Sequence, residues 1–93
     1  MPGSSVVRLR VVVHGRVQGV YFRAECREAA RAHRVSGWVS NQPDGTVYAE
    51  FEGPKDAVDA MVGWCRTGPD RAHVTDVAVT ELAPTGEAGF SVH

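Results

Sequence analysis

Ninety-three residues and 10.0 kDa are enough for one hydrophobic core and too few for two, so a single domain over residues 1–93 is expected, with residues 1–5 flexible. Hydrophobic residues at 43% and charged residues at 23% are ordinary globular usage and exclude a disordered or fibrous chain. The net charge is −1 and the longest unbroken aliphatic run is Val11 to Val13, far short of the ~20 residues that cross a bilayer, so no membrane association is expected.

Residues 6–14 alternate, with Val7, Leu9, Val11 and Val13 on one parity and Arg8, Arg10 and His14 on the other, which predicts a half-buried strand. Two glycines, Gly15 and Gly19, then break the pattern. From Phe22 to Arg34 the chain is rich in Ala, Arg and Glu, with Phe22, Cys26, Ala29 and His33 along one stripe of an amphipathic helix. Residues 35–41 and 46–52 read as strands joined by Gln42-Pro-Asp-Gly45, where Pro presets a turn and Asp-Gly accepts positive φ. Val47, Ala49 and Phe51 alternate with Thr46, Tyr48, Glu50 and Glu52, so the sheet is expected to bury one face and open the other to water. Pro54 is expected to open a second helix at its first position, with Val58, Met61, Val62 and Cys65 inward and Gly68-Pro69 as its stop. Val74 to Leu82 predicts a fourth strand with Val77 and Val79 inward, and Phe90 to Val92 a short fifth. Residues 83–89 look weakly structured.

The order β-α-β-β-α-β is that of a ferredoxin-like α+β sandwich, an antiparallel sheet with both helices on one face. A helix carries the chain from strand one to strand two, so these strands run the same way and end at one edge. Gly15 to Tyr21, the start of the first helix and Asn41 therefore converge.

Charge is uneven along the chain. Residues 1–34 hold seven Arg against two acids, whereas residues 35–93 hold three basic against nine acidic groups. A solvated helix face accounts for many such arginines, but an anion-binding element in the first third also suits them. Gly15-Arg-Val-Gln-Gly-Val-Tyr-Phe-Arg23 has the parts of an oxyanion cradle: glycine-permitted turns that aim successive N–H groups inward, then a helix N-terminus. Arg23 would add a forked guanidinium. The Gly-Lys-Ser/Thr of a P-loop is missing. Asn41 either makes an Asx turn into Pro43 or uses its amide to hold a water.

At these residues the chain resembles the acylphosphatase family. His14-Gly-Arg-Val-Gln-Gly-Val-Tyr-Phe-Arg23 is similar to that family's first signature, and Gly37-Trp-Val-Ser-Asn-Gln-Pro-Asp-Gly45 followed by Val47 to its second. The likeness continues through Phe51-Glu-Gly-Pro54, Trp64, Gly68-Pro69 and Val77-Ala-Val79, whereas the tail Phe90 to His93 is less typical. The resemblance implies hydrolysis of a small-molecule acyl phosphate to a carboxylate and inorganic phosphate, with no cofactor and no metal. It implies that Arg23 and the backbone of Arg16, Val17, Gln18, Gly19, Val20 and Tyr21 bind the phosphoryl group, while Asn41 positions the attacking water. A cytoplasmic monomer with no nucleic-acid partner is expected.

Other reactive residues have ordinary readings. Cys26 and Cys65 lie on core stripes without CxxC spacing, and His14, His33, His73 and His93 show no ligand spacing. An RNA-binding module would need stacking aromatics on strands one and three, but strand one has none and strand three sets Glu50 and Glu52 beside Tyr48. A related domain within a larger carbamoyl-transfer maturation protein is the other alternative; a free-standing enzyme is favoured because no zinc-finger or transferase segment accompanies these residues.

Overall fold

The computed structural model describes residues 5–93, so the expectation for the first four residues lies outside the described residues. The elements are β1 (Val6–Arg16), α1 (Phe22–Ala32), β2 (Ser36–Asn41), β3 (Val47–Pro54), α2 (Lys55–Thr67), β4 (His73–Leu82) and β5 (Phe90–Val92). They form one five-stranded sheet in the order β4-β1-β3-β2-β5, antiparallel except for the β2–β5 pair. The α+β sandwich expected from the alternation is the fold observed. No helix among the described residues is long and apolar enough to cross a membrane.

The core lies between the sheet and the two helices. Val11 and Val13 of β1, Val39 of β2, and Val47, Ala49 and Phe51 of β3 are fully buried against Phe22, Cys26 and Ala30 of α1 and Val58, Met61 and Cys65 of α2. Helix α1 packs over β2 and β5, and α2 over β1, β3 and β4. The first helix departs from its expected stripe. It ends at Ala32, Ala30 rather than Ala29 is fully buried, and His33 is an exposed cap residue whose N–H bonds the carbonyl of Ala29. In the second, Pro54 is the cap preceding Lys55 rather than the first helical residue. The Cys26 and Cys65 thiols meet beneath the helices, and their mutual hydrogen bond together with burial pushes the Cys26 thiol up, away from the reactive thiolate.

Three corrections concern the sheet. β1 runs past its expected end to Arg16 because a bulge leaves Thr75 unopposed between the His14–Asp76 and Gly15–Val74 pairs. Gly15 permits this approach: its φ is 121°, and a Cβ there would stand 2.1 Å from the His73 carbonyl oxygen. Val79 pairs with Val11 and so shares the helix side, yet it is 41% exposed because β4 is an edge strand.

The third correction is larger, because one end of the face expected to meet water is covered, while Arg10 on the same face stays exposed. Cross-strand register sets Arg8 against Glu52 and Arg10 against Glu50. Arg8 Nε donates to Glu50 Oε1 (2.7 Å), Nη1 to Glu52 Oε1 (2.9 Å) and Nη2 to Glu87 Oε1 (2.9 Å). The backbone N–H groups of Thr85 and Gly86 donate to the two oxygens of Glu52, each at 2.8 Å. Residues 85–87, which lack apolar periodicity, thus form a polar strap over buried Arg8 and Glu52, while buried Glu50 is held by Arg8 and Arg10. These charges are paired and hydrogen-bonded, the condition under which burial is tolerated.

The strap also makes stability depend on acid. The Thr85 N–H, the Arg8 guanidinium and the Gly86 N–H hold Glu52 at about 2, below its usual 4.5. A depressed carboxyl binds more protons in the unfolded chain, so its contribution is complete above the unfolded value and is lost as pH falls through the folded one. The urea midpoint is expected to drop as pH falls from about 4.5 to about 2. Glu52→Gln should be less stable at pH 7 and flatter across that window. Parallel curves for the two proteins would exclude this role.

Candidate active site

The strand directions decide where the site is built. β1 and β2 are each antiparallel to β3, and β5 runs parallel to β2, so all three end at one edge. There the chain leaves β1 through a loop of residues 17–21, enters α1, and meets Asn41 and Val92 at the ends of the other two strands. A cleft of about 430 Å³ opens at this edge, lined by Val17, Gly19, Tyr21, Phe22, Arg23, Ala24, Asn41 and Val92.

Helix α1 begins without a side-chain cap. Tyr21 occupies the cap position in the left-handed region (φ 66°), and the N–H of Glu25 is bonded back to the Tyr21 carbonyl at 3.0 Å. The N–H groups of Phe22, Arg23 and Ala24 therefore have no partner inside the helix, and all three residues line the cleft. Gly19 at φ 75° supplies a second left-handed residue to the loop, the kind of backbone that turns amides into a concave nest. Partial positive charge at the helix start reinforces that nest.

Arg23 lies in the first turn of α1, and its Nη1 donates to the main-chain carbonyl of His93 at 2.8 Å. One side of the fork is thus braced by the residue after β5, while the side chain borders the cleft. Asn41 borders it too, and its Oδ1 is buried with no hydrogen-bond partner among the described residues. The Asx turn that offered an alternative use for Asn41 belongs to Asp44 instead. Asp44 Oδ1 accepts from the Thr46 N–H (3.0 Å) and hydroxyl (2.6 Å), which hold its carboxyl below the usual range. The turn closes with Gly45 N–H to Gln42 O at 3.0 Å.

The structure brings Val17, Gly19, Tyr21, Arg23 and Asn41 together and leaves Arg16, Gln18 and Val20 off the cleft lining. Arg16 is an exposed β1 residue opposite His73, and Val20 is buried in the core. Gln18 does what sequence reasoning missed. Its Nε2 donates to the carbonyl oxygens of Gln42 (2.7 Å) and Thr46 (3.0 Å), tying the loop to the hairpin that carries Asn41. The only advance signal was a long amide between the two glycines. Gln18→Ala is expected to lower kcat about tenfold and to destabilise by only about 1 kcal/mol, since the Gln42 and Thr46 carbonyls each lose one donor and keep a backbone N–H. Stopped assays beside urea titrations check both; a loss of stability with unchanged kcat would deny it a positioning role. Among the described residues no three His, Cys, Asp or Glu side chains gather where they could hold a metal ion.

The family model for acylphosphatase matches residues 9–92, nearly the whole chain. The chain belongs to the acylphosphatase family. An acylphosphatase from Natronomonas pharaonis is 49% identical over 89 residues, covering 96% of this chain and 97% of that one. The crystal structure of acylphosphatase from Bacillus subtilis matches with a TM-score of 0.91 at 38% identity, over 94% of this chain and 98% of the other. An acylphosphatase from Coxiella burnetii matches over 100% of both chains with a TM-score of 0.92 at 30% identity. The family's reaction is hydrolysis of acyl phosphates, and the chain is an enzyme of that family.

Proposed function

We propose that Arg23 and the amides at the start of α1 bind the phosphoryl group of an acyl phosphate, and that Asn41 holds the water that attacks it. The buried, unpartnered Oδ1 of Asn41 in the same cleft as Arg23 is the observation that carries this reading. A buried acceptor left without a donor is costly, and a water O–H bound there meets that need. The same bond fixes the water's lone pair toward phosphorus.

The chemistry asks for little else. A mixed carboxylic-phosphoric anhydride expels a weakly basic carboxylate, so its departure requires no general acid. Phosphoryl transfer depends chiefly on alignment and on stabilising the equatorial oxygens, which a guanidinium and a nest of N–H groups provide. In this reading water attacks phosphorus in line, the P–O bond to the acyl oxygen breaks with its electron pair leaving on the carboxylate, and a phosphate oxygen takes the water's proton. The loop residues 16–21 serve through their backbone, with Val17, Gly19 and Tyr21 at the cleft itself.

Phosphate release from benzoyl phosphate in the presence of a chelator, set beside an aryl phosphate monoester, tests the reading. Rapid release from the first alone is expected. Equal use of the monoester, or activity that vanishes with the chelator, would overturn it. The RNA-binding alternative is disfavoured, because the strap of residues 85–87 covers the Arg8–Glu52 end of the face on which bases would stack and Glu50 lies beside Tyr48 on the rest.

A further inference from the structure

Large hydrophobic side chains left in water need a reason when they cluster. Four are exposed among the described residues: Val6, Tyr21, Val79 and Val92. Val6 and Val79 lie on β1 and β4, whereas Tyr21 and Val92 line the same cleft, with exposed Ala24 beside them. Tyr21 is 71% exposed, so its ring is largely spared from the core. It also occupies the left-handed region (φ 66°, ψ 21°), a conformation that disfavours a bulky side chain and is kept at such a cost mainly where function uses it. A glycine would satisfy that backbone better.

The cleft of about 430 Å³ is more than a phosphoryl group fills. With the phosphoryl oxygens held by Arg23 and the helix amides, the acyl group must extend along the remaining wall toward solvent. Among the residues that line the cleft, Tyr21, Ala24 and Val92 are the exposed ones with apolar side chains. We propose that these three side chains form the acyl-group subsite and that it favours acyl phosphates with an aromatic or branched apolar acyl group over short ones; this rests on the reaction proposed above. An aromatic acyl group meets the ring in an offset or edge-to-face contact and covers Val92, while an acetyl group reaches neither fully.

The test measures kcat/KM for benzoyl phosphate and acetyl phosphate in the wild-type protein, Tyr21→Gly and Tyr21→Phe. Tyr21 also belongs to the loop backbone, so a disturbed amide would lower both substrates together, and the benzoyl-to-acetyl ratio isolates the ring. Tyr21→Gly is expected to lower that ratio about tenfold, mainly through the KM for benzoyl phosphate, and Tyr21→Phe to keep it within about twofold. Val92→Ala should move the ratio the same way by a smaller factor. An unchanged ratio in Tyr21→Gly, with both substrates still hydrolysed, overturns the subsite and leaves the reaction standing. Failure of the wild-type protein to hydrolyse either substrate overturns the reaction and the subsite with it.

Discussion

Arg23→Ala is expected to lower kcat/KM for an acyl phosphate by about 10² to 10⁴ and to abolish competitive inhibition by inorganic phosphate. The reasoning starts from the fork. A guanidinium donates to phosphoryl oxygens through charge-assisted bonds worth roughly 1.5–3 kcal/mol each, and two such bonds span that range of rate. Alanine also frees the His93 carbonyl, but that acceptor is exposed and water replaces its donor, so the fold should survive. Arg23→Lys keeps the charge and loses the planar two-pronged geometry, and is expected to recover only part of the affinity. Steady-state kinetics with phosphate as inhibitor, alongside a thermal melt, measure this. Near-normal hydrolysis by a folded Arg23→Ala protein would remove the guanidinium from the mechanism.

Asn41→Ala should behave differently in a diagnostic way. Turnover is expected to fall by on the order of 10² to 10³, comparable to losing one preorganised donor in an oxyanion site, while phosphate still binds. Stability should not fall with it. The Asn41 Oδ1 has no hydrogen-bond partner among the described residues, so deleting the amide breaks no bond within the fold. A slower enzyme of equal or greater urea midpoint is therefore the expected signature. Loss of both activity and stability would mean that the amide serves the fold.

The elements and their order were legible because each rests on local rules. Alternation from Val6 to Val13, the Pro43-Asp-Gly45 turn and the α2 stripe of Val58, Met61, Val62 and Cys65 are all where short-range patterns place them. That Arg23 and Asn41 share an edge followed from the crossover between two parallel strands. What stayed hidden depends on partners far along the chain. Arg8 and Glu52 have the parity of solvent-facing residues, and the strap of residues 85–87, more than thirty positions beyond Glu52, covers them. Gln18 was invisible as a positioning residue for the same reason, since its acceptors are backbone carbonyls in another element. Val79 carries the right parity, but parity does not reveal that β4 is an outermost strand.

Between Glu87, gripped by Arg8, and Gly89, whose carbonyl accepts from the Gly37 N–H at 3.0 Å, the chain has one residue of tether, Ala88. Loosening the grip leaves the Gly37–Gly89 bond alone to hold the start of a three-residue strand, and the residue after that strand steadies the guanidinium. Wear on the polar seam at the back of the sheet is thereby felt at the catalytic edge, and a protein exposed to acid should lose catalytic alignment before it loses its core.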